Sequence, residues 1–537
     1  MPTLPADSIL QRARRVLRTL HATGLLHPRF VMSMARGVLR HGNSLAAVIA
    51  AAELMRPDAI AIIDDTGALG FGDLKRRVFS IANGLRQTGV GADHCVGILC
   101  RNHRGFMEGF AAVNALGADA VFLNTGFAGP QLGEVLDREG VKTIIYDEEF
   151  SEIVDAYAGT RERVLAWHES DTTLPTLDDL ARRHSSTPPP KPSTEGGVTI
   201  LTSGTTGTPK GAVRASSNRD PEGELAILEM MPVRVGVTTL VCAPAFHGWG
   251  LAHTMIATMF VSTLVLHRRF DPVRTLETIA ESKVDTLVVV PVMMQRILAL
   301  GEDMIRRYDT SSLRATFSSG SALPGELALA WMDAFGDGLY NFYGSTEVAH
   351  ATCAGPEDLR AAPGTAGRPP MRTVVEILDA EGHPVPNGRT GRIFVGNRSQ
   401  FDGYTGGGGK EIIRGLMSIG DVGHFDAAGR LFVEGRDDDM IISGGENVFP
   451  QEVEDLLTDH PSIVEAAVIG VVDADFGQRL RAFVVTRRDR SIDEAAVKEH
   501  VRSRLARHKV PRDVVFLDEI PRNATGKVLK RVLCEHA

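Results

Sequence analysis

A chain of 537 residues is too long to fold around one hydrophobic core, so about two to four structural units are expected. A net charge of -9 with no long basic stripe excludes a general nucleic-acid binder, although it leaves room for one nucleotide. Apolar residues make up 43%, ordinary for a soluble globular protein, and the most apolar stretch, 238–266, is broken by Pro244, His247, Gly248, Gly250 and His253, so it reads as core or pocket wall and not as a membrane span.

Five cysteines, Cys95, Cys100, Cys242, Cys353 and Cys534, are scattered without CxxC pairs, which points to neither a disulfide framework nor a zinc site. A reducing cytosol fits this usage. The N-terminus places arginines in its first amphipathic turns and has no long apolar segment, so no secretory signal is expected.

In chain order, residues 9–41 carry apolar positions at helical spacing (Ile9, Val16, Leu17, Leu20, then Phe30, Val31, Met34, Val38, Leu39), with Arg12, Arg14, Arg15 and Arg18 between them. That pattern suits a packed helix pair or a helix lying on a membrane surface, and the sequence does not choose. From 59 to 147 strands and helices alternate: strand 60–63, helix 73–88, strand 95–100, helix 105–116, strand 120–123, helix 129–139, strand 143–146. Short apolar strands separated by helices predict a parallel sheet with helices on its faces. A second such series runs through 240, 264–266, 287–290 and 315–318, suggesting two similar halves. Residues 184–197 are Pro/Ser-rich and read as an exposed connector. A break at 429–439 precedes a helix 451–458, strands 464–470 and 482–486, and a helix 493–506, a compact α+β module of about 100 residues.

The connector leads into Val198 to Leu201 and then Thr202-Ser203-Gly204-Thr205-Thr206-Gly207-Thr208-Pro209-Lys210-Gly211. A short strand entering such a loop offers backbone N–H groups, hydroxyls and one ammonium, the equipment for wrapping a polyphosphate. Pro209 stands where a Walker A loop needs glycine before its lysine, which disfavours an ordinary P-loop NTPase. A second anchor is Asn341-Phe342-Tyr343-Gly344-Ser345-Thr346-Glu347: Tyr343 offers a stacking face, Gly344 lets a base lie against backbone, Thr346 can bond a phosphate, and Glu347 is a hard oxygen ligand for Mg²⁺. Asp421 can accept both hydroxyls of a ribose and Arg436 can donate to the same sugar.

These motifs, with Ser318-Ser319-Gly320-Ser321-Ala322-Leu323-Pro324 and Pro521-Arg522-Asn523-Ala524-Thr525-Gly526-Lys527, resemble in order the signatures of the adenylate-forming superfamily, which includes acyl-CoA synthetases, peptide-synthetase adenylation domains and luciferases. The resemblance spans about residues 59–527. It implies an α/β fold: a large N-terminal domain with two doubly wound α/β subdomains and a β-rich subdomain, then a small mobile α+β C-terminal domain. The corresponding division is a helical extension 1–50, a large domain 51–435 and a small domain 436–537.

The resemblance further implies that Thr202, Ser203, Gly204, Thr205, Thr206, Gly207 and Lys210 hold phosphates, that Thr346 meets the α-phosphate, and that Glu347 helps hold magnesium. Gly320, Tyr343 and Gly344 would line the adenine site, and Asp421 and Arg436, 15 residues apart, would hold the ribose. His247 would lie near the substrate carboxylate, Asp438 at the hinge and Gly445 beside the pantetheine tunnel. Lys527 would enter the active site during adenylation, where its ammonium relieves the repulsion between a carboxylate and an anionic phosphate. Three features depart from the family: Ile419 stands where Thr is commoner, the glycine-rich 403–410 replaces an Asn-Pro-rich segment and suggests a mobile loop, and Ser216-Ser217-Asn218 lacks the usual His.

The expected activity is ATP-dependent activation of a carboxylic acid to acyl-AMP and then a coenzyme A thioester, with ATP, Mg²⁺ and coenzyme A as cofactors. The methionines Met255, Met259, Met293 and Met294 suggest a flexible pocket wall and hence a fatty, medium- to long-chain acid. Alternatives are an aromatic acid, transfer of the acyl group to a carrier protein, and a non-catalytic lipid-binding relative, against which Asp421, Glu347 and Lys527 speak. No nucleic-acid partner is expected; a cytoplasmic location, a homodimer and peripheral membrane contact are all compatible with the chain.

Overall fold

The computed structural model describes residues 9–202, 210–213, 221–443, 446–473, 477–487, 490, 492–523 and 526–535. The alternating pattern of the first half folds as strands and helices close to the expected bounds: Ile60–Asp64, Phe71–Gln87, Cys95–Leu99, Arg104–Ala115, Asp119–Phe122, Gly129–Arg138 and Val141–Asp147. One sheet runs, in order, Gly403–Tyr404, Lys210–Val213, Val198–Thr202, Asp119–Phe122, Cys95–Leu99, Val141–Asp147, Glu162–Trp167. The other runs Thr352–Ala354, Leu339–Tyr343, Ala315–Ser318, Thr286–Val289, Thr238–Val241, Thr263–Leu266, Ile60–Asp64, Gly67–Gly70. Both are parallel through their centres, with apolar strands buried on both faces.

The halves are not simply successive. Strand Ile60–Asp64, first in the chain, joins the second sheet, pairing parallel with Thr263–Leu266. Local pattern marks Ile60–Asp64 as a strand but carries no information about its partner some 200 residues on, where Thr263 Oγ1 donates to the Ile60 carbonyl at 2.8 Å. Helix Leu45–Met55 packs against Pro28–His41, Phe71–Gln87, Arg104–Ala115 and Gly248–Met259. It is apolar all round, which hides it from a reading that looks for one apolar stripe. Where the helix layers meet, Arg77 clamps the buried Glu108 with bonds of 2.6 and 2.9 Å.

Among the described residues one group gathers potential metal ligands, Cys100, His103 and Asp147. Its donors are already engaged: His103 Nδ1 accepts from the Gly105 amide at 3.0 Å, capping helix Arg104–Ala115, His103 Nε2 lies 2.8 Å from Asp147 Oδ1, and Asp147 Oδ2 accepts from the Arg101 amide at 2.9 Å. The cluster is a structural helix cap.

An antiparallel β-rich unit follows, built from Val374–Leu378, Gly391–Gly396, Ile412–Ile413, Leu416–Phe425 and Leu431–Arg436. The C-terminal α+β unit places Glu446–Val448, Ile441–Ser443, Gly477–Thr486, Ile463–Asp473 and Asp513–Phe516 in one sheet, with helices Pro450–Thr458 and Glu494–Arg502 packed on it. The two- and three-residue strands here and the short Asp513–Phe516 escape a sequence reading because they are shorter than any periodicity can register.

Candidate active site

The 15-residue spacing of Asp421 and Arg436 becomes a cross-strand pair: strands Leu416–Phe425 and Leu431–Arg436 are antiparallel and set the two residues opposite each other. Arg436 Nη1 donates to Asp421 Oδ1 at 3.2 Å and to the Ile419 carbonyl at 3.4 Å. Gly420, at φ +83, makes this possible, since a Cβ there would lie 3.1 Å from the Arg436 guanidinium. Tyr343 closes the group from the neighbouring sheet, its hydroxyl donating to Asp421 Oδ2 at 2.5 Å. Burial raises the Asp421 carboxyl above its ordinary range; the Tyr343 hydrogen bond and the Arg436 and Lys527 charges offset that only in part. Burial and the facing Asp421 hold the Tyr343 phenol neutral. Gly344 is required for the adjoining turn, because a Cβ would stand 2.5 Å from the Ala349 carbonyl oxygen.

Glu347 is 8% exposed and accepts a hydrogen bond from the Tyr404 hydroxyl at 2.6 Å. Burial pushes its carboxyl up, but the bonds from Tyr404 and Ser345 outweigh that and hold it below the usual range, so it is ionised. Tyr404 comes from the glycine-rich 403–410, whose two-residue strand Gly403–Tyr404 pairs with Lys210–Val213. The turn closes on itself through Gly407 N to the Tyr404 carbonyl at 3.0 Å, with Gly406, Gly407 and Gly408 all at positive φ. Thr405 ties it to the hairpin of Val198–Thr202 and Lys210–Val213, accepting from the Gly211 amide at 2.9 Å and donating to Glu139 at 2.6 Å. The Lys210 ammonium lies 5.7 Å from the Tyr404 ring centre. Tyr404 is thus a site residue that the sequence reading passes over: Gly403-Tyr404 is visible, but its bond to Glu347 spans 57 residues.

Lys527 reaches the same cleft from the C-terminal unit. Its hairpin is locked by Asn523 N to the Lys527 carbonyl at 2.8 Å, Lys527 N to Asn523 Oδ1 at 2.9 Å, and Arg522 Nη1 to the Gly526 carbonyl at 2.7 Å. Gly526, at φ +83, seats the hairpin on the large domain, since a Cβ there would meet Val292 at 2.8 Å. The Lys527 side chain stays accessible from the open cleft although protein surrounds it. That crowding lowers its pKa, with the charge of Asp421 opposing, Arg436 reinforcing and Glu347 again opposing. His247 precedes helix Gly248–Met259, and its Nε2 is buried with no hydrogen-bond partner among the described residues. Burial, helped by the Lys527 charge, pushes the imidazole down to about 3, so it is neutral at any working pH.

Gly320 adopts φ +94 beside Val290, and Thr346 is half-buried between Gly344 and Glu347. Ser203, Gly204, Thr205, Thr206, Gly207 and Gly445 lie outside the described residues, as does Ser216-Ser217-Asn218; for Thr202 only the backbone pairing with Lys210 is described. Asp438 is placed by its backbone in the short turn Asp437–Asp439, flanked by an ion pair of Asp437 with Arg392 at 3.2 Å and one of Asp439 with Lys530 at 2.9 Å.

Below His247 and Tyr343 the space between helix Gly248–Met259 and strands Ala315–Ser318 and Leu339–Tyr343 is filled by rings. Trp249 lies 4.1 Å from His253 and 5.5 Å from Phe342, and Phe317 lies 5.4 Å from His253 and 5.9 Å from Phe342. Trp249 is fixed by its Nε1–H donating to the Val289 carbonyl at 3.0 Å. Beside the rings lies a cavity of about 10 Å³, lined by His253, Ile256, Phe260 and Phe317 among others, room for about one water. Of the four methionines expected along a pocket wall, Met293 and Met294 are buried in the core, Met255 packs partly buried against it, and Met259 is 41% exposed.

A model of the AMP-binding enzyme family matches residues 50–405, and one of the AMP-binding enzyme C-terminal domain matches residues 452–527. The feruloyl-CoA synthase of an Amycolatopsis species is 35% identical over 483 residues, covering 89% of this chain and 95% of its own. The 2-succinylbenzoate–CoA ligase of Geobacillus kaustophilus is 34% identical over 487 residues, covering 89% and 95%. The crystal structure of the anthranilate CoA ligase AuaEII in complex with anthranoyl-AMP superposes with a TM-score of 0.82 at 25% identity, covering 92% of this chain and 97% of that one.

Proposed function

The chain belongs to the AMP-binding enzyme family and is an AMP-forming acid–thiol ligase, and from that premise we propose that its acid is aromatic. The observation that carries this reading is the cluster of aromatic rings Trp249, His253, Phe317 and Phe342 on the helix and strands that follow His247, whose faces and edges suit a ring-bearing acid. The relatives named above act on ring-bearing acids, which supports the same choice and sets the aromatic acid ahead of the fatty acid expected from the sequence.

In this reading Asp421 accepts from the ribose hydroxyls while Arg436 and Tyr343 hold its carboxylate in place. The acid lies with its ring on the cluster and its carboxylate near His247, whose neutral imidazole adds no charge that would pin the carboxylate away from the phosphate. A carboxylate oxygen attacks the α-phosphorus, the bond to the bridging oxygen of pyrophosphate breaks, and pyrophosphate leaves. The Lys527 ammonium lies between the two anions and stabilises the charge that accumulates. Magnesium fits Glu347, whose carboxylate is held ionised and is oriented by the Tyr404 hydroxyl, a hard oxygen donor for such a cation. Bound there, the ion would neutralise charge on the polyphosphate. Lys210 and Thr346 would contact phosphates. In the second step the coenzyme A thiol attacks the carbonyl and AMP leaves, after the unit beyond residue 436 swings about Asp438.

The lowered pKa of Lys527 has a sign that can be tested. The ammonium form is active, so adenylation is full below the lysine's pKa and is lost as pH rises through it, at a pH below the ordinary 10.5. Single-turnover adenylation should show this alkaline limb, and Lys527→Arg should move it to higher pH; an unmoved limb assigns it to another group. No limb between mildly acidic and neutral pH should arise from His247.

The substrate reading is tested by giving the purified protein ATP, Mg²⁺ and coenzyme A with benzoate, anthranilate, ferulate, octanoate or palmitate, and following products by mass spectrometry. Aryl-CoA is expected from the ring-bearing acids, and acyl-CoA from octanoate or palmitate alone overturns the reading. Trp249→Ala should shift relative kcat/KM towards the longer acids by about tenfold.

A further inference from the structure

Helix Pro28–His41 has two apolar faces. One, with Phe30, Ser33, Met34 and Gly37, packs on helix Leu45–Met55 so closely that a Cβ on Gly37 would lie 2.4 Å from the Ala47 carbonyl oxygen. The other holds Val31, Met32, Val38 and Leu39, of which Met32 is 58% and Leu39 78% exposed. At 3.6 residues per turn Arg29, Arg36 and Arg40 fall in one stripe along an edge of that outer face. On the preceding helix, Ile9–Thr23, Leu17 is likewise exposed beside Arg14 and Arg18.

Residues 8–52 contain seven arginines and no aspartate or glutamate, in a chain whose net charge is -9. Arg14, Arg18, Arg29, Arg36 and Arg40 form no ion pair with any described residue. The family match begins at residue 50, so both helices lie outside it and the ligase chemistry does not account for them. Arginines beside exposed aliphatic side chains on a short helix are the pattern that places apolar groups at a lipid interface and guanidinium groups among its phosphates. A second copy of the chain fits less well, because no acidic residue in 8–52 could receive the partner's arginine stripe.

We infer that the outer face of helix Pro28–His41 docks the enzyme reversibly on an anionic lipid surface. With only one short helix and a few cations the attachment is weak and salt-dependent.

The test sediments the full-length protein with vesicles of phosphatidylcholine, with and without phosphatidylglycerol, at low and high salt. Binding is expected only with phosphatidylglycerol and should fade as salt rises. Arg29→Gln with Arg36→Gln should lower the partition coefficient about thirtyfold, and Met32→Asp with Leu39→Asp should abolish binding, while both variants keep the ligase kcat. Wild-type protein that stays in the supernatant, or variants that sediment like wild type, would overturn the inference. A concentration-dependent dimer lost in Met32→Asp with Leu39→Asp, without vesicle binding, would give the face to a second copy instead.

Discussion

Lys527→Ala is expected to slow acyl-adenylate formation about a hundred- to a thousandfold, while thioester formation from supplied acyl-AMP and coenzyme A stays near wild type. The substitution removes the ammonium and little else. The turn that presents residue 527 is held by backbone groups and by Asn523 and Arg522, and its seat on the large domain is made by Gly526 against Val292. What is lost is the positive charge within reach of Asp421 and Glu347, in a cleft where crowding by protein strengthens electrostatic effects. The second step has no anionic phosphate to be approached by a carboxylate, so it does not need this charge. Single-turnover pyrophosphate release and coenzyme A consumption, measured separately, check the split. Near-wild-type adenylation by the alanine variant would remove Lys527 from the reaction, and equal losses in both steps would point to a structural role.

Asp421→Asn is expected to raise KM for ATP about ten- to a hundredfold, the loss of one charge-assisted acceptor worth about 1.5 to 3 kcal/mol, without lowering thermal stability. The two halves of this prediction come from one observation. Burial raises the Asp421 carboxyl above its unfolded value even with Tyr343 and Arg436 bonded to it. A group whose folded pKa is raised favours the fold below its unfolded pKa, and that contribution is lost as pH rises through the folded value. At neutral pH the ionised Asp421 therefore weighs against the fold, and the neutral amide relieves that cost while accepting less well from a ribose. Calorimetric ATP affinity and Tm on the same sample decide it. Unchanged ATP affinity would remove Asp421 from the nucleotide site, and a large fall in Tm would show that its ion pair serves stability.

Much of the proposed site was legible from the chain alone because the residues assigned to it fall in short local motifs. Tyr343 to Glu347, Asp421 with Arg436 and the turn ending in Lys527 each need particular side chains or glycines within a few residues, or across one hairpin whose length sets the spacing. The α/β alternation was legible for the same reason: apolar periodicity records which faces of an element are buried. It does not record against what. That strand Ile60–Asp64 crosses to the second sheet, that Tyr404 reaches Glu347, that Lys527 comes within the field of Asp421, and that Trp249, His253, Phe317 and Phe342 meet edge-on and tilted in one cluster were settled only by tertiary packing. Each of these pairs elements distant in sequence, and their partners are selected by shape and close contact between whole layers, which no local pattern of residues contains.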